Sequence, residues 1–192
     1  MKDSSDTISH PWSRERITIQ PYYPKWPQVF EKEKQLLQQH LKSHFLTLHH
    51  IGSTAVPGLG AKPIIDMILV IRHQEEIAKI ISLLQEEKYH HLGKVISPRT
   101  EFFLKKESSP PQYHRFHLHT YVEGDSEIER HLLFREQLRN HPQKRNDYEQ
   151  LKKQLAYHYY DNREKYNQGK TSWIRQQEEL AGIDSSYHLR NE

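Results

Sequence analysis

His50-Ile51-Gly52-Ser53-Thr54-Ala55-Val56-Pro57-Gly58-Leu59 runs, two residues later, into Lys62-Pro63-Ile64-Ile65-Asp66-Met67-Ile68-Leu69-Val70-Ile71. The near-continuous Ile/Leu/Val run predicts a strand over 64–71 that is buried on both faces. One carboxylate, Asp66, interrupts it. An ionised carboxylate in such a strand needs a hydrogen bond, an ion pair or a cation, because burying it alone is costly. The Gly52-Ser53-Thr54 turn just upstream offers small side chains and backbone N–H groups to an anion. Cation and phosphate handling in one short segment is what phosphoryl and nucleotidyl transfer require.

Residues 45–51 read as a strand leading into the turn, and 52–61 as a loop with a short helical turn at Ser53-Thr54. Upstream, Arg16 to Gln20 alternates and predicts a short edge strand. Pro21, Pro24 and Pro27 then precede a helix over 26–43, whose apolar stripe is Val29, Phe30, Leu36, Leu37 and Leu41. Downstream, Ile77, Ile80, Ile81 and Leu84 recur at helical spacing and predict a helix over 74–88. A strand is expected near 89–95. Two antiparallel strands, 100–105 and 114–122, follow, joined by a polar loop at 106–112. Ser126 and Glu129 fit a capping box. Helices are expected at about 126–140, 144–160 and 170–181, with Pro142 separating the first two. A mixed helix-strand half followed by a helical half gives an α+β fold with a small mixed sheet and a C-terminal helical segment.

The 192 residues suit one domain, taken as 15–184 between tails at 1–14 and 185–192. The composition is 34% hydrophobic and 28% charged, which is lean, but the apolar residues cluster enough to make a core. With no cysteine, disulfides and thiolate metal sites are excluded. No stretch approaches the roughly 18 apolar residues of a membrane span, and the first ten residues lack the apolar region of a signal peptide. A cytoplasmic protein is the expectation. The formal charge of +3 permits an anionic ligand without the concentrated basic stripe of a nucleic-acid binder.

Several side chains fit an anion or metal site. His117 and His119 lie two apart on a strand, so both rings share a face. Imidazoles so placed are either a metal pair or two locally bonded histidines on a polar face. Ser53 and Thr54 carry hydroxyls that can donate to an anion, or that cap a turn. Lys62, four residues before Asp66, can reach the same anion as a point charge. Arg135 and Arg139 share a helix face. With Lys170 and Arg115 they can form a basic rim, or they can pair with Glu129, Glu136 or Asp161. His50 is placed to close the strand end beneath the turn. Phe102 and Phe103 suit either base stacking or a core, and Trp26 and Trp173 suit packing.

Four separated motifs resemble the GrpB family, a bacterial family assigned to the nucleotidyltransferase-like fold. Besides the opening segment, Pro21-Tyr22-Tyr23-Pro24-Lys25-Trp26-Pro27 resembles its Pro-Tyr-x-Pro-x-Trp-Pro start, and His117-Leu118-His119 its His-Leu-His strand. Phe134 to Pro142 resembles its Phe-Arg-Asp-x-Leu-Arg-x-His-Pro helix. Tyr148, Leu151-Lys152, Tyr166 and Lys170 also fall where that family has similar residues. The resemblance spans about residues 17–181.

The resemblance implies that Gly52, Ser53 and Thr54 hold terminal phosphates. It implies that Asp66 binds a divalent metal, Mg or Mn rather than Zn, and that His117 or His119 completes the ligand set or acts as base. Enzymes of that fold carry a second carboxylate two residues on. Here that position is Ile68, an aliphatic residue as in the GrpB family, while His49 stands where that family usually has Glu. Three functions remain open at this point, the first two implied by the resemblance and the third by the ligand types alone. One is metal-dependent nucleotidyl or phosphoryl transfer. The second is a non-catalytic module binding a nucleotide, a coenzyme A-like ligand or a protein, as suggested by similar domains fused to dephospho-CoA kinase. The third is a mononuclear metal hydrolase using His117, His119 and Asp66.

Overall fold

A computed structural model describes residues 16–107 and 114–183. The tails expected at 1–14 and 185–192, and most of the expected 106–112 loop, lie outside the described residues. Strand β2, Ile64–Ile71, is the strand that the opening segment predicts, with the same bounds. It lies between β1, Thr47–Ile51, which pairs with it antiparallel, and β5, His114–Val122, which pairs with it parallel. Strands β4, Thr100–Glu107, and β3, His90–Ser97, continue the sheet antiparallel, so the order is β1-β2-β5-β4-β3.

Alternation along β2 sorts its side chains between two environments. Ile65, Met67, Leu69 and Ile71 enter the main core together with Phe116 and Leu118 of β5. Helices α1, Trp26–Leu41, and α2, Ile77–Glu86, close that core with Trp26, Leu37, Leu41, Ile80 and Leu84. Burying each of these large apolar side chains is worth about 1.5–3 kcal/mol. On the opposite face Ile68 and Val70 pack with Ile51 and Tyr121 beneath Ile128 and Leu132 of α3, Ser126–Asn140. Helices α4, Pro142–His158, and α5, Arg163–Leu180, extend that side. The parallel β2/β5 register sets Asp66 beside His117 and Ile68 beside His119. All four therefore face the α3 side.

Several local expectations are corrected. The edge strand over Arg16 to Gln20 reduces to one bridge from Gln20 to Ala61, because the Ile17 N–H goes instead to the Tyr160 carbonyl at 2.8 Å. The cap of α3 is Asp125, whose carboxylate accepts from the Glu127 N–H at 2.9 Å, so Ser126 is already inside the helix. Pro142 opens α4 as its first residue, where its missing N–H costs nothing. Helix α5 begins at Arg163, earlier than expected, because the Asn162 side chain caps the Lys165 N–H.

Candidate functional site

At the end of β1 the chain reverses through Gly52, whose φ is +69°. A Cβ there would lie 2.6 Å from the Asp66 Oδ2 atom, so both the conformation and the close approach require glycine. Residues Ser53–Ala55 then form one 3₁₀ turn. Its hydrogen bonds use the N–H groups of Ala55 and Val56, leaving those of Ser53 and Thr54 outside them. Below the turn, His50 bonds the Thr54 hydroxyl at 3.0 Å and stacks on Phe30. Burial lowers its pKa to about 4, so it is neutral at pH 7.

A cavity of about 580 Å³ opens at this point. Gly52, Ser53, Asp66 and His119 line one side, and Arg135, Tyr148 and Lys170 come from α3, α4 and α5. The Asp66 side chain is 31% exposed, and its Oδ1 lies 3.2 Å from His117 Nδ1. Burial raises the Asp66 pKa, but the His117 hydrogen bond and charge, with Lys62 nearby, outweigh it and hold the carboxyl below its ordinary range. The His119 ring packs on Phe102, and its Nδ1 is buried with no partner among the described residues. Burial lowers its pKa to about 4. The far wall carries Arg130, which bridges Glu127 of its own helix and Glu178 of α5.

Three lysines gather around this carboxylate. Lys152 of α4 is 2% exposed, and its ammonium donates to the Ser53 hydroxyl at 2.9 Å and to the Gly60 carbonyl. Lys62 and Lys170 lie over the Tyr166 ring at 5.2 and 4.9 Å. Burial, reinforced by Lys170 and Arg163, lowers Lys62 to about 7. Burial, reinforced by Lys170 and Lys62 against Glu149 and Asp66, lowers Lys152 to about 7. Lys170 is lowered as well, by burial and then by Arg163, against the pull of Asp66.

The expected site residues divide. Gly52, Ser53, Asp66, His119, Arg135 and Lys170 line the cavity, and Lys62 and His117 reach Asp66 electrostatically. The Thr54 hydroxyl is turned inward instead: it is buried and donates to the Ile64 carbonyl at 2.9 Å. Arg139 is likewise spent on structure, since its guanidinium clamps the Ala55 carbonyl from two nitrogens. Arg135 gives one nitrogen to the His50 carbonyl at 2.7 Å, and Glu136 pairs with both arginines. The Arg115 side chain lies outside the described residues. Phe103 is core, Trp26 is fully buried, and Trp173 stacks on Tyr148 at 4.8 Å.

The roles of Lys152 and Tyr148 were missed from sequence. Their spacing of four puts them on one helix face, but nothing local shows which loop that face meets. Among the described residues no three His, Asp or Glu gather as a metal-holding group, and no helix is long and apolar enough to cross a membrane.

Fold and site together define an α+β protein with a basic cleft built around one strand carboxylate and a Gly-Ser turn. The chain belongs to the GrpB family, whose pattern, described as GrpB protein, matches residues 16–179. It is 35% identical over 175 residues to UPF0157 protein YqkA of Bacillus subtilis, covering 91% of this chain and 50% of that protein. It is 36% identical over 162 residues to UPF0157 protein PA4798 of Pseudomonas aeruginosa, covering 83% of this chain and 66% of that protein. The chain thus spans about half to two thirds of these relatives. The crystal structure of conserved protein GrpB from Enterococcus faecalis superposes with a TM-score of 0.76 at 35% identity, covering 85% of this chain and 96% of that one. The five-stranded mixed sheet with flanking helices is consistent with the nucleotidyltransferase-like fold.

Proposed function

We propose that the cleft binds a phosphate-bearing small molecule of the nucleotide or coenzyme A class, its anionic groups resting against Lys170 and Arg135, with Lys62 and Lys152 adding positive potential from behind the wall. One observation carries this reading: three lysines with depressed pKa values cluster around Asp66, the carboxylate that acts on all of them. Each ammonium there is under-compensated, and an incoming anion relieves that deficit while gaining charge-assisted hydrogen bonds. The cavity is large enough for a mononucleotide-sized ligand.

The donor set argues against a metal site built by the protein alone. Asp66 already faces His117, and Ile68, where a second carboxylate is needed, is 0% exposed in an apolar cluster. Any Mg²⁺ in this cleft would arrive on the ligand's phosphates, with Asp66 as a single additional oxygen donor. This supports binding ahead of two-metal nucleotidyl transfer or mononuclear hydrolysis.

Isothermal titration with ATP, GTP, CTP, UTP, coenzyme A and sulfate, each with and without Mg²⁺ or Mn²⁺, tests the reading. Binding of at least one of these is expected, weakened about tenfold or more in Lys170→Ala as a charged hydrogen bond is lost. In metal-free buffer Asp66→Asn is expected to tighten sulfate a few-fold, roughly the size of one screened repulsion. If no ligand binds the folded wild-type protein, the reading is wrong.

A further inference from the structure

Ser53 and Tyr148 line one wall of the cleft, and Lys152 stands buried directly behind Ser53. Ser53 follows Gly52 at the sharp change from β1 into the 3₁₀ turn, and its half-buried side chain lines the cavity. Lys152 Nζ stands 2.9 Å from its Oγ, with the Gly60 carbonyl as its second acceptor. Tyr148, one helical turn earlier on α4, holds its ring 4.9 Å from the Lys152 ammonium and also lines the cavity. A hydroxyl on a tight turn, a buried amine within hydrogen-bond reach and a third group orienting them form the geometry of an activated nucleophile. Serine–lysine pairs are a known form of that arrangement.

We propose that Ser53 is a nucleophile and Lys152 its general base, acting on an ester or thioester whose acyl or leaving portion carries an anionic group. Neutral Lys152 takes the Ser53 hydroxyl proton as the Oγ–carbon bond forms and the carbonyl π pair moves onto oxygen. Collapse breaks the bond to the alkoxide or thiolate, which leaves with the proton returned by Lys152. Water then adds to the acyl-serine by the same proton path, releasing a carboxylic acid and restoring Ser53. Tyr148, whose hydroxyl burial holds in its protonated form, donates a hydrogen bond to the reacting oxygen.

The amine is suited to the task because burial, with Lys170 and Lys62 close by, brings it to about 7. The groups facing it are Lys170 from α5, Lys62 and Asp66 from the β2 segment, and Glu149 from its own helix. The choice of an anionic substrate, though not the nucleophile itself, rests on the anion-binding reading above.

The test is covalent labelling of the full chain with a fluorophosphonate and with p-nitrophenyl hemisuccinate, read by intact mass and peptide mapping. Wild type is expected to carry one adduct, on Ser53. Its labelling rate is expected to rise with pH through about 7 as Lys152 deprotonates. Ser53→Ala abolishes labelling. Lys152→Arg, which keeps the charge and removes the base, slows it about 100-fold or more. Far-UV circular dichroism and sulfate calorimetry on each variant separate lost chemistry from lost folding. A wild-type Ser53 that stays unlabelled while sulfate binds overturns the nucleophile and leaves the anion site standing. Labelling without sulfate binding does the reverse. Equal labelling of Lys152→Arg and wild type overturns the role of the lysine.

Discussion

Two buried lysines in this molecule are surrounded differently. Lys105 of β4 points into the face covered by α1, where its ammonium meets the Glu33 carboxylate at 2.8 Å. The same carboxylate oxygen accepts from the Tyr89 hydroxyl at 2.9 Å, and the ammonium lies over the Tyr89 and Phe116 rings. Lys152 is buried just as deeply, yet its two acceptors are neutral oxygens, a serine hydroxyl and a backbone carbonyl. Where a buried charge serves only the fold, the fold supplies a counter-charge. At the cleft no carboxylate bonds the Lys152 ammonium, and Glu149 and Asp66 act on it only through space, which leaves an ammonium that readily gives up its proton and a site that favours anions.

The sharpest way to break that comparison is to remove the counter-charge. Glu33→Ala strands the Lys105 ammonium and removes an acceptor from the Tyr89 hydroxyl, and urea unfolding is expected to show a loss of about 3–5 kcal/mol. Lys62→Met, which deletes a repelled cation at the cleft, is expected to cost less than about 1 kcal/mol or to stabilise, because it also removes a desolvation penalty. Equal losses in the two variants would dissolve the distinction between paired and unpaired lysines.

A smaller effect belongs to the turn. Gly52→Ala forces a Cβ toward Asp66 at a positive φ and is expected to cost about 1–3 kcal/mol. For a chain of this size that lowers the melting temperature by roughly 2–4 °C per kcal/mol. Sulfate binding should weaken in parallel, since the turn and carboxylate move together. An unchanged melt would mean that the turn is not held against Asp66.

The mildest test sharpens the comparison by pH. Lys62 and Lys152 favour a bound anion electrostatically when charged, and both are lowered to about 7. Sulfate affinity is therefore expected to fall as pH rises from about 6 to 8.5, by at most about tenfold per pH unit for each proton taken up. The sign for unliganded stability is opposite. These groups have folded pKa values below the ordinary lysine value of 10.5, so the unfolded chain binds more protons between about 7 and 10.5. Their penalty is fully present below about 7 and is relieved as pH climbs through that window. Calorimetry in buffers of different ionisation enthalpy measures the proton uptake directly, and zero uptake at pH 8 would remove the unpaired lysines from the anion site.

Much of this architecture was legible in one dimension. The β2 run, with its Ile/Leu/Val density, could only be a strand covered on both sides, and its bounds were met. Asp66 stood out because a carboxylate in such a run demands an explanation. His117 and His119 were visible as a same-face pair, and Ile68 as a missing carboxylate. Helix ends were less legible. The starts of α3 and α5 depend on Asp125 and Asn162 side chains reaching back to backbone N–H groups, and several nearby polar residues compete for that role. The backbone partners of Thr54 and Arg139 were not legible for a related reason. A hydroxyl or guanidinium beside a loop can serve a ligand or the loop's own carbonyls, and only coordinates show which oxygen is nearest.

One-dimensional pattern was enough for the α+β class, the buried interior strand, the glycine turn beside it and the lone carboxylate between them. These follow from periodicity, steric freedom and the cost of buried charge, all of which act over a few residues. Tertiary structure decided what surrounds Asp66. Lys152 is 99 residues from Ser53 along the chain, and its place against that hydroxyl depends on how α4 docks on the 52–60 loop. Long-range packing brings cations from three segments to one carboxylate without giving each a bonded counter-charge. That imbalance belongs to the assembled cleft, because no local window of sequence contains both the lysines and the charges they lack.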